Sequence, residues 1–163
     1  MTQNNNQTPL IHYKRIGREL TLQYLFQQDL AVEDNGQDIE LFWLQAEAAD
    51  DRIDKKTFRK AKNFALKLID GVTSKHAELD QKIIDYASGW TIDRMAVVDR
   101  NLLRIAIFEM LHLVDVPPIV SIDEAVTIAR EFSSEKAANF INGILNHIKN
   151  DLDRPARRPL NKQ

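Results

Sequence analysis

The longest apolar pattern in the chain lies between residues 102 and 114, where hydrophobic side chains face all sides of a helix. A helix that is apolar all round has to be covered all round by other elements. The run is too short and too charged to span a bilayer. It therefore predicts the central helix of a helical domain, ended by the two prolines of segment 115–118. Arg104 and Glu109 lie inside the run, and each should reach a partner because an unpaired buried charge is costly.

Amphipathic spacing on both sides of this run predicts further helices. The predicted elements in the first half are a helix from about Tyr13 to Leu30, a short helix capped by Asp38, and a longer helical pattern from about Asp54 that has a break or bend at Gly71 and Thr73-Ser74 and ends at Gly89. They are followed by the central helix capped by Thr91 or Asp93, a helix that starts at the capping-box spacing Ser121–Glu124, and a last helix capped by Ser133 or Ser134. No segment alternates with the two-residue period of a strand. The pattern predicts an all-α fold of about seven helices.

Composition narrows the class of protein. The 163 residues suit one domain, and the absence of cysteine excludes disulfides and thiolate metal sites. We expect a disordered polar tail over residues 1–11, a helical domain over 12–150 and a basic tail over 151–163. The start of the chain lacks a signal-peptide pattern, and no apolar run is long enough for a membrane span, which predicts a cytoplasmic protein.

Catalytic patterns are absent from the sequence. The four histidines are scattered without metal-ligand spacing, and the five glycines form no phosphate-cradling loop. No nucleophile is paired with a base. We therefore expect neither an enzyme nor a bound cofactor or metal.

A basic cluster opens the first predicted helix, at Lys14, Arg15 and Arg18. Cations at a helix N-terminus oppose the helix dipole, by roughly 0.3–1 kcal/mol each. A phosphate-binding site would explain the cluster, because helix amides and basic side chains both attract phosphate. An ordinary solvated face explains it equally well on the residues alone.

The last predicted helix presents a second polar surface. Its members are Lys136 near the helix start and the stripe Asn139, Asn142 and Asn146. Asparagine is a mediocre helix former, and its amide can bind base edges or phosphates, although a solvated face is again the alternative. For Gly143 we favour helix packing, and for Phe140 a core position over a stacking platform.

Several segments occur in an order and spacing that together are specific. They are residues 18–26 (RELTLQYLF), Gly89-Trp90, Arg94-Met95, residues 98–106 (VDRNLLRIA), 115–118 (DVPP), 122–125 (IDEA) and 139–145 (NFINGIL). With them the chain, from Arg15 to about Ile148, resembles the NusB family of bacterial transcription antitermination factors.

The resemblance implies two packed helical subdomains and a role without catalysis. NusB-like proteins pair with the ribosomal protein NusE and bind the boxA element of nascent RNA. With other Nus factors on RNA polymerase, they promote full-length transcription of ribosomal RNA operons. The resemblance thus favours single-stranded boxA-type RNA and NusE as partners of this chain.

The resemblance also implies site residues. The RNA-contacting set falls on Lys14, Arg15, Arg18, Phe26, Lys136, Asn139 and Phe140, with Asn142 as a further candidate for reading bases. The NusE-facing set falls on Asp99, Val116, Pro117 and Pro118. Some positions depart from the family: Phe26 lacks a hydroxyl that a tyrosine usually supplies, Asn139 replaces a common lysine, Lys136 stands where relatives are often acidic, and Pro118 replaces a bulkier residue.

Two alternatives remain at this point. NusB-like domains also occur as accessory modules of RNA cytosine methyltransferases, but the sequence has no room for a cofactor-binding α/β domain. The chain could also be a protein-only adaptor or a homodimer in which the basic surface is covered. Sizing with and without RNA separates this second alternative from RNA binding.

Overall fold

The helices of the computed structural model form in the order that the apolar pattern predicts. The structure describes residues 10–31, 38–51 and 53–160. Within them the elements are α1 (Leu10–Leu30), α2 (Ile39–Ala49), α3 (Lys55–Ser74), α4 (His76–Tyr86), α5 (Val97–His112), α6 (Pro118–Phe132) and α7 (Glu135–Asp151), with a 3₁₀ turn (Ile92–Arg94) before α5. These described ranges contain no strand, so the all-α prediction is confirmed. Most of the predicted N-terminal tail lies outside the described residues.

Helix α5 is the centre of the fold, as predicted. Every residue from Asn101 to Met110 is buried. Five helices, α1, α3, α4, α6 and α7, pack against it. None of the described helices is long and apolar enough to cross a membrane.

The buried apolar side chains form two clusters, which correspond to the two predicted subdomains. The smaller cluster joins α1, α2 and the first part of α3 through Ile16, Leu20, Phe42, Trp43, Phe58, Ala61, Ala65 and Ile69. The larger cluster surrounds α5 and takes in α4, α6 and α7. Tyr24 of α1 packs against both clusters, so α1 connects the two halves.

Three of the described helices have side-chain N-caps, and two of these caps, Asp38 and Ser134, were predicted. The carboxylate of Asp38 accepts from the amide of Glu40 at 3.0 Å, and Asp54 accepts from Thr57 at 2.6 Å. The hydroxyl oxygen of Ser134 accepts from the amide of Ala137 at 3.0 Å. These bonds satisfy amides that the first turn of each helix leaves without an intrahelical partner.

Two other predicted helix starts were wrong. Helix α6 begins at Pro118, not at a capping box at Ser121, because proline suits the first turn, where no amide donor is needed. Ser121 is instead buried inside α6 and donates to Glu109. The N-cap of α5 is Ala96, and Thr91 precedes the 3₁₀ turn without a side-chain capping bond.

The break predicted near Gly71 and Thr73-Ser74 is present, because α3 ends at Ser74 and α4 begins at His76. Gly71 itself lies within α3, where a Cβ would stand 2.0 Å from the ring of Phe108. It therefore allows α3 to approach α5 closely. Gly143, for which packing was predicted, has nothing within 4 Å of its Cβ direction and faces open space.

Part of the predicted basic tail is held against the domain. The guanidinium of Arg154 donates to the carbonyls of Met110 at 2.9 Å and Val116 at 2.8 Å. The backbone of Ala156 accepts from Ile119 at 3.0 Å. Arg154 thus satisfies carbonyls at and beyond the end of α5, which have no helical partner of their own.

Candidate nucleic-acid interface

Arg18, which the sequence suggested as a phosphate ligand, is 2% exposed and faces the core. Its guanidinium forms a bidentate ion pair with the carboxylate of Glu109 in α5, with Nη2–Oε1 at 2.6 Å and Nε–Oε2 at 2.9 Å. Ser121 also donates to Glu109, at 3.1 Å. Arg18 is therefore the partner that the buried Glu109 required, and in this structure it is not available to a phosphate.

Arg15 lies at the surface, one turn before Arg18 on α1. Its Nε donates to Glu124 of α6, and about a quarter of its side chain remains exposed. The hydrogen bond to Glu124 raises the pKa of the Arg15 guanidinium, so that it stays charged. Arg15 can therefore offer its remaining N–H donors to an anion without leaving Glu124.

Phe26 continues the same edge of α1. It is half-buried, and its position eleven residues after Arg15 puts the two side chains on one line along the helix. Lys14 projects about 100° away from Arg15, toward α3, where its Nζ stands 5.6 Å from the ring centre of Phe64. The basic side chains at the start of α1 therefore lie on two different sides of the helix.

A groove at the start of α7 collects the other candidates. Its lining residues are Trp90, Arg94, Met95, Ala96, Asp99, Ser134, Lys136, Ala137 and Phe140, around a cavity of about 200 Å³. We call it the Trp90 groove. Trp90 is 53% exposed and meets the Phe140 ring edge-on, with ring centres 5.7 Å apart. Exposed aromatic faces beside cations suit the stacking of bases and the binding of phosphates.

Asp99 lies in the Trp90 groove together with residues predicted to bind RNA. It occupies the first turn of α5, where the helix dipole favours an acid. Its Oδ1 is buried and has no hydrogen-bond partner among the described residues. A buried acceptor without a partner is costly, so a donor from a bound molecule would stabilise it.

The asparagine stripe of α7 turns away from the Trp90 groove. Asn142 is exposed but lies two residues from Phe140, almost on the opposite side of the helix. Its Oδ1 accepts from Asn146 at 2.8 Å, and Asn146 in turn accepts from Lys149 at 2.9 Å. Asn139 is exposed between these two sides. The structure thus brings Lys136 and Phe140 together and separates them from Asn142.

The turn from Val116 to Pro118 does not offer the predicted protein-binding surface in full. Val116 and Pro118 are buried and only Pro117 is partly exposed. The turn is also distant from Asp99, because α5 separates them by about 20 Å. The predicted contacts through the side chains of Val116 and Pro118 do not fit this structure, since both are used in packing.

Ion pairs at the start of α5 form a network that the sequence did not predict. The burial of Arg104 predicted only that it has a partner. Arg104 donates to Asp80 of α4 at 2.7 Å and to Asp29 of α1 at 3.1 Å. Burial by itself raises the pKa of Asp29, but hydrogen bonds from Asn101 and Arg100 and the charge of Arg104 outweigh it and lower the pKa overall. The network ties α1 and α4 to α5.

Trp90 and Arg94 were also missed as site residues. The available signal was an aromatic residue directly after Gly89, outside every apolar stripe. Gly89 has φ +75°, a left-handed conformation that favours glycine, and it turns the chain so that Trp90 reaches the surface. Within the described ranges, no cluster of three His, Cys, Asp or Glu residues could hold a metal ion.

Comparison with known proteins gives consistent relatives. A family model described as the NusB family matches residues 15–150. The transcription antitermination protein NusB of Myxococcus xanthus strain DK1622 is 37% identical over 142 residues, which cover 87% of this chain and 98% of the relative.

Solved structures of similar fold have related sequences. NusB from T. maritima superposes with a TM-score of 0.67 and 32% identity, covering 88% of this chain and 92% of the other. A chain from a crystal structure of antitermination factors NusB and NusE in complex with dsRNA gives a TM-score of 0.69 and 27% identity, covering 88% of this chain and 100% of the other. The helix arrangement described above is therefore that of the NusB structures.

Proposed function

The chain belongs to the NusB family, and from this premise we propose that it is a transcription antitermination factor that binds boxA-type single-stranded RNA together with the ribosomal protein NusE. In this role it joins other Nus factors on RNA polymerase in the cytoplasm and promotes full-length transcription of ribosomal RNA operons. The observation that carries the proposal is the Trp90 groove, where the exposed ring of Trp90, the partly buried ring of Phe140, cations and an unpartnered carboxylate oxygen meet.

The RNA contacts Arg15 and Phe26 of α1 and the Trp90 groove. Arg15 and Lys136 contact phosphates, because both present a cation at the surface. Phe140 and Trp90 stack on bases, since their rings border the same cavity. Asn139 and Asn142 contribute at most secondary contacts, because Asn142 faces another side of α7.

NusE binds beside the RNA at Asp99. The carboxylate of Asp99 is partly exposed at the groove and attracts a basic side chain of NusE. Because Lys136 and Asp99 line one groove, the two ligands meet there, and each strengthens the binding of the other. Pro117 at the far end of α5 is outside this shared surface.

The role is one of binding and not of catalysis. The arginines and carboxylates inside the fold pair with each other, in ion pairs that join α1 and α4 to α5 and α1 to α6. The exposed candidates are aromatic rings, amides and cations, which recognise nucleic acid without activating a substrate.

A titration with fluorescently labelled boxA RNA, with and without NusE, tests the proposal. We expect tighter binding with NusE present. Phe140→Ala should weaken RNA binding by about 5- to 160-fold, because stacking on one aromatic ring supplies about 1–3 kcal/mol. Phe132→Ala is the matched control, because Phe132 is exposed on α6 outside the Trp90 groove. Absence of RNA binding under both conditions would contradict the proposal. A homodimer whose formation excludes RNA, measured by sizing, would favour the protein-only alternative.

A further inference from the structure

Helix α3 concentrates positive charge that the proposed function does not use. It carries basic side chains at residues 55, 56, 59, 60, 62 and 67 and an acidic one only at residue 70. The whole chain has a net charge of −2, so this local excess is not a property of the composition. A basic face on one helix is the electrostatic feature that points to a polyanion.

Two of these lysines line a groove with the start of α1. Lys60 and Lys67 of α3 meet Lys14 and Tyr13 of α1 around a cavity of about 400 Å³, next to the end of α5. We call it the lysine groove. Phe64 forms part of its wall, with the Lys14 ammonium 5.6 Å from the ring centre. Asp115 is the one acidic residue that lines it within the described chain.

The three ammonium groups of the lysine groove make no ion pair with any described residue. Lys62, by contrast, packs over the ring of Trp43 on another side of α3. Lys56, Lys60 and Lys67 recur at intervals of four and seven residues and form one stripe about 17 Å long. Lysines that are free and aligned can follow a flexible chain of negative charges, because each is a mobile point charge on a long stem.

We propose that the lysine groove binds the phosphates of single-stranded RNA that flanks the boxA element, without regard to sequence. This inference rests on the proposed function, since it extends the same RNA beyond the Trp90 side. Lys14 and Arg15 are neighbours on α1 but project to different sides, so a strand at Arg15 reaches the groove by crossing the start of one helix. The rings of Tyr13 and Phe64 add a surface on which bases of any sequence rest.

The test uses three RNAs: one that ends at boxA and two that extend it by a uridine tract, on the 5′ or the 3′ side. Affinity and its salt dependence are measured by fluorescence anisotropy for the wild-type protein, for Lys60→Ala/Lys67→Ala and for Lys55→Ala/Lys75→Ala. The last variant is a matched control, because it removes two exposed lysines of the same region that do not line the groove. Thermal melts verify that all three proteins are folded.

We expect one extended RNA to bind the wild-type protein more tightly than the short RNA. Lys60→Ala/Lys67→Ala should abolish this gain and reduce the salt slope for the extended RNA by about 1.4, at about 0.7 per phosphate contact. Binding of the short RNA should not change, and the control variant should behave as wild type.

Equal affinity of the wild-type protein for the short and extended RNAs would contradict RNA binding by the lysine groove. It would not contradict the proposed function. A gain that survives in Lys60→Ala/Lys67→Ala would also contradict RNA binding by the lysine groove. If the wild-type protein binds none of the RNAs, the proposed function fails together with this inference. A variant that loses NusE in the absence of RNA identifies the groove as a protein contact and contradicts the assignment to RNA.

Discussion

The basic residues of α1 and those of α3 look alike in the sequence but differ in what they touch. Arg18 is buried against Glu109, and Arg15 is held by Glu124. Lys60 and Lys67 are exposed and have no ion-pair partner among the described residues. The comparison teaches that a cluster of positive charge indicates a ligand only where the fold leaves N–H donors of those charges exposed.

The largest effect that would test this comparison belongs to Arg18. Arg18→Ala leaves Glu109 buried without its partner, so the free energy of unfolding should fall by about 3–5 kcal/mol. Chemical denaturation measures the change, and Arg130→Ala is the control, because its pair with Glu135 is exposed and contributes at most about 1 kcal/mol. If Arg18→Ala is as stable as wild type but binds RNA poorly, Arg18 acts on RNA and the comparison fails.

For Arg15 we expect a smaller loss of stability together with a loss of RNA binding. Arg15→Ala removes a partly exposed pair, while Glu124 keeps Arg18 at 3.8 Å, so the stability loss should be about 1 kcal/mol. The salt slope for boxA RNA should fall by about 0.7, for one lost phosphate contact. Denaturation and anisotropy give both values on one protein sample. An unchanged slope would restrict Arg15 to a structural role.

Acid should weaken the ion-pair network at the start of α5, in which Asp29 pairs with Arg100 and Arg104. The pKa of Asp29 is lower in the folded protein than in the unfolded chain, so ionised Asp29 stabilises the fold above about pH 4. This contribution is lost as the pH falls through the folded pKa. Unfolding experiments from pH 7 to pH 2 should show that Asp29→Asn differs most from wild type at neutral pH and converges with it in acid.

The smallest stability effect should come from the lysines of α3. Lys60→Ala/Lys67→Ala removes two exposed side chains without partners, so the free energy of unfolding should change by no more than about 0.5 kcal/mol per site. Thermal melts measure it against Arg18→Ala. A loss comparable to that of Arg18→Ala would mean that the lysines have structural partners, and it would remove the contrast between α1 and α3.

The helices themselves were predictable from particular residues. Asp38 and Ser134 cap helices as their positions predicted, since the capping bond joins residues two or three apart in the chain. The burial of α5 followed from its uninterrupted apolar run. The start of α6 was misjudged at Ser121 because its spacing to Glu124 also fits the interior of a helix, where both face inward.

The site was only partly predictable. Lys136 and Phe140 share the Trp90 groove with Asp99, but their meeting depends on how α7 packs beside α5. Trp90 and Arg94 come from the connection before α5, whose path follows from the left-handed turn at Gly89. No local sequence pattern predicts which residues of separate helices line the same cavity.

The sequence by itself determined the helices, the central place of α5 and the family, because periodicity, caps and motif order are properties of neighbouring residues. Only the tertiary structure decided which charges are available. Glu109 lies 91 residues from Arg18, and their pairing depends on α1 packing against α5. The energy of a charge depends on its burial and partners, and these are set when distant segments meet.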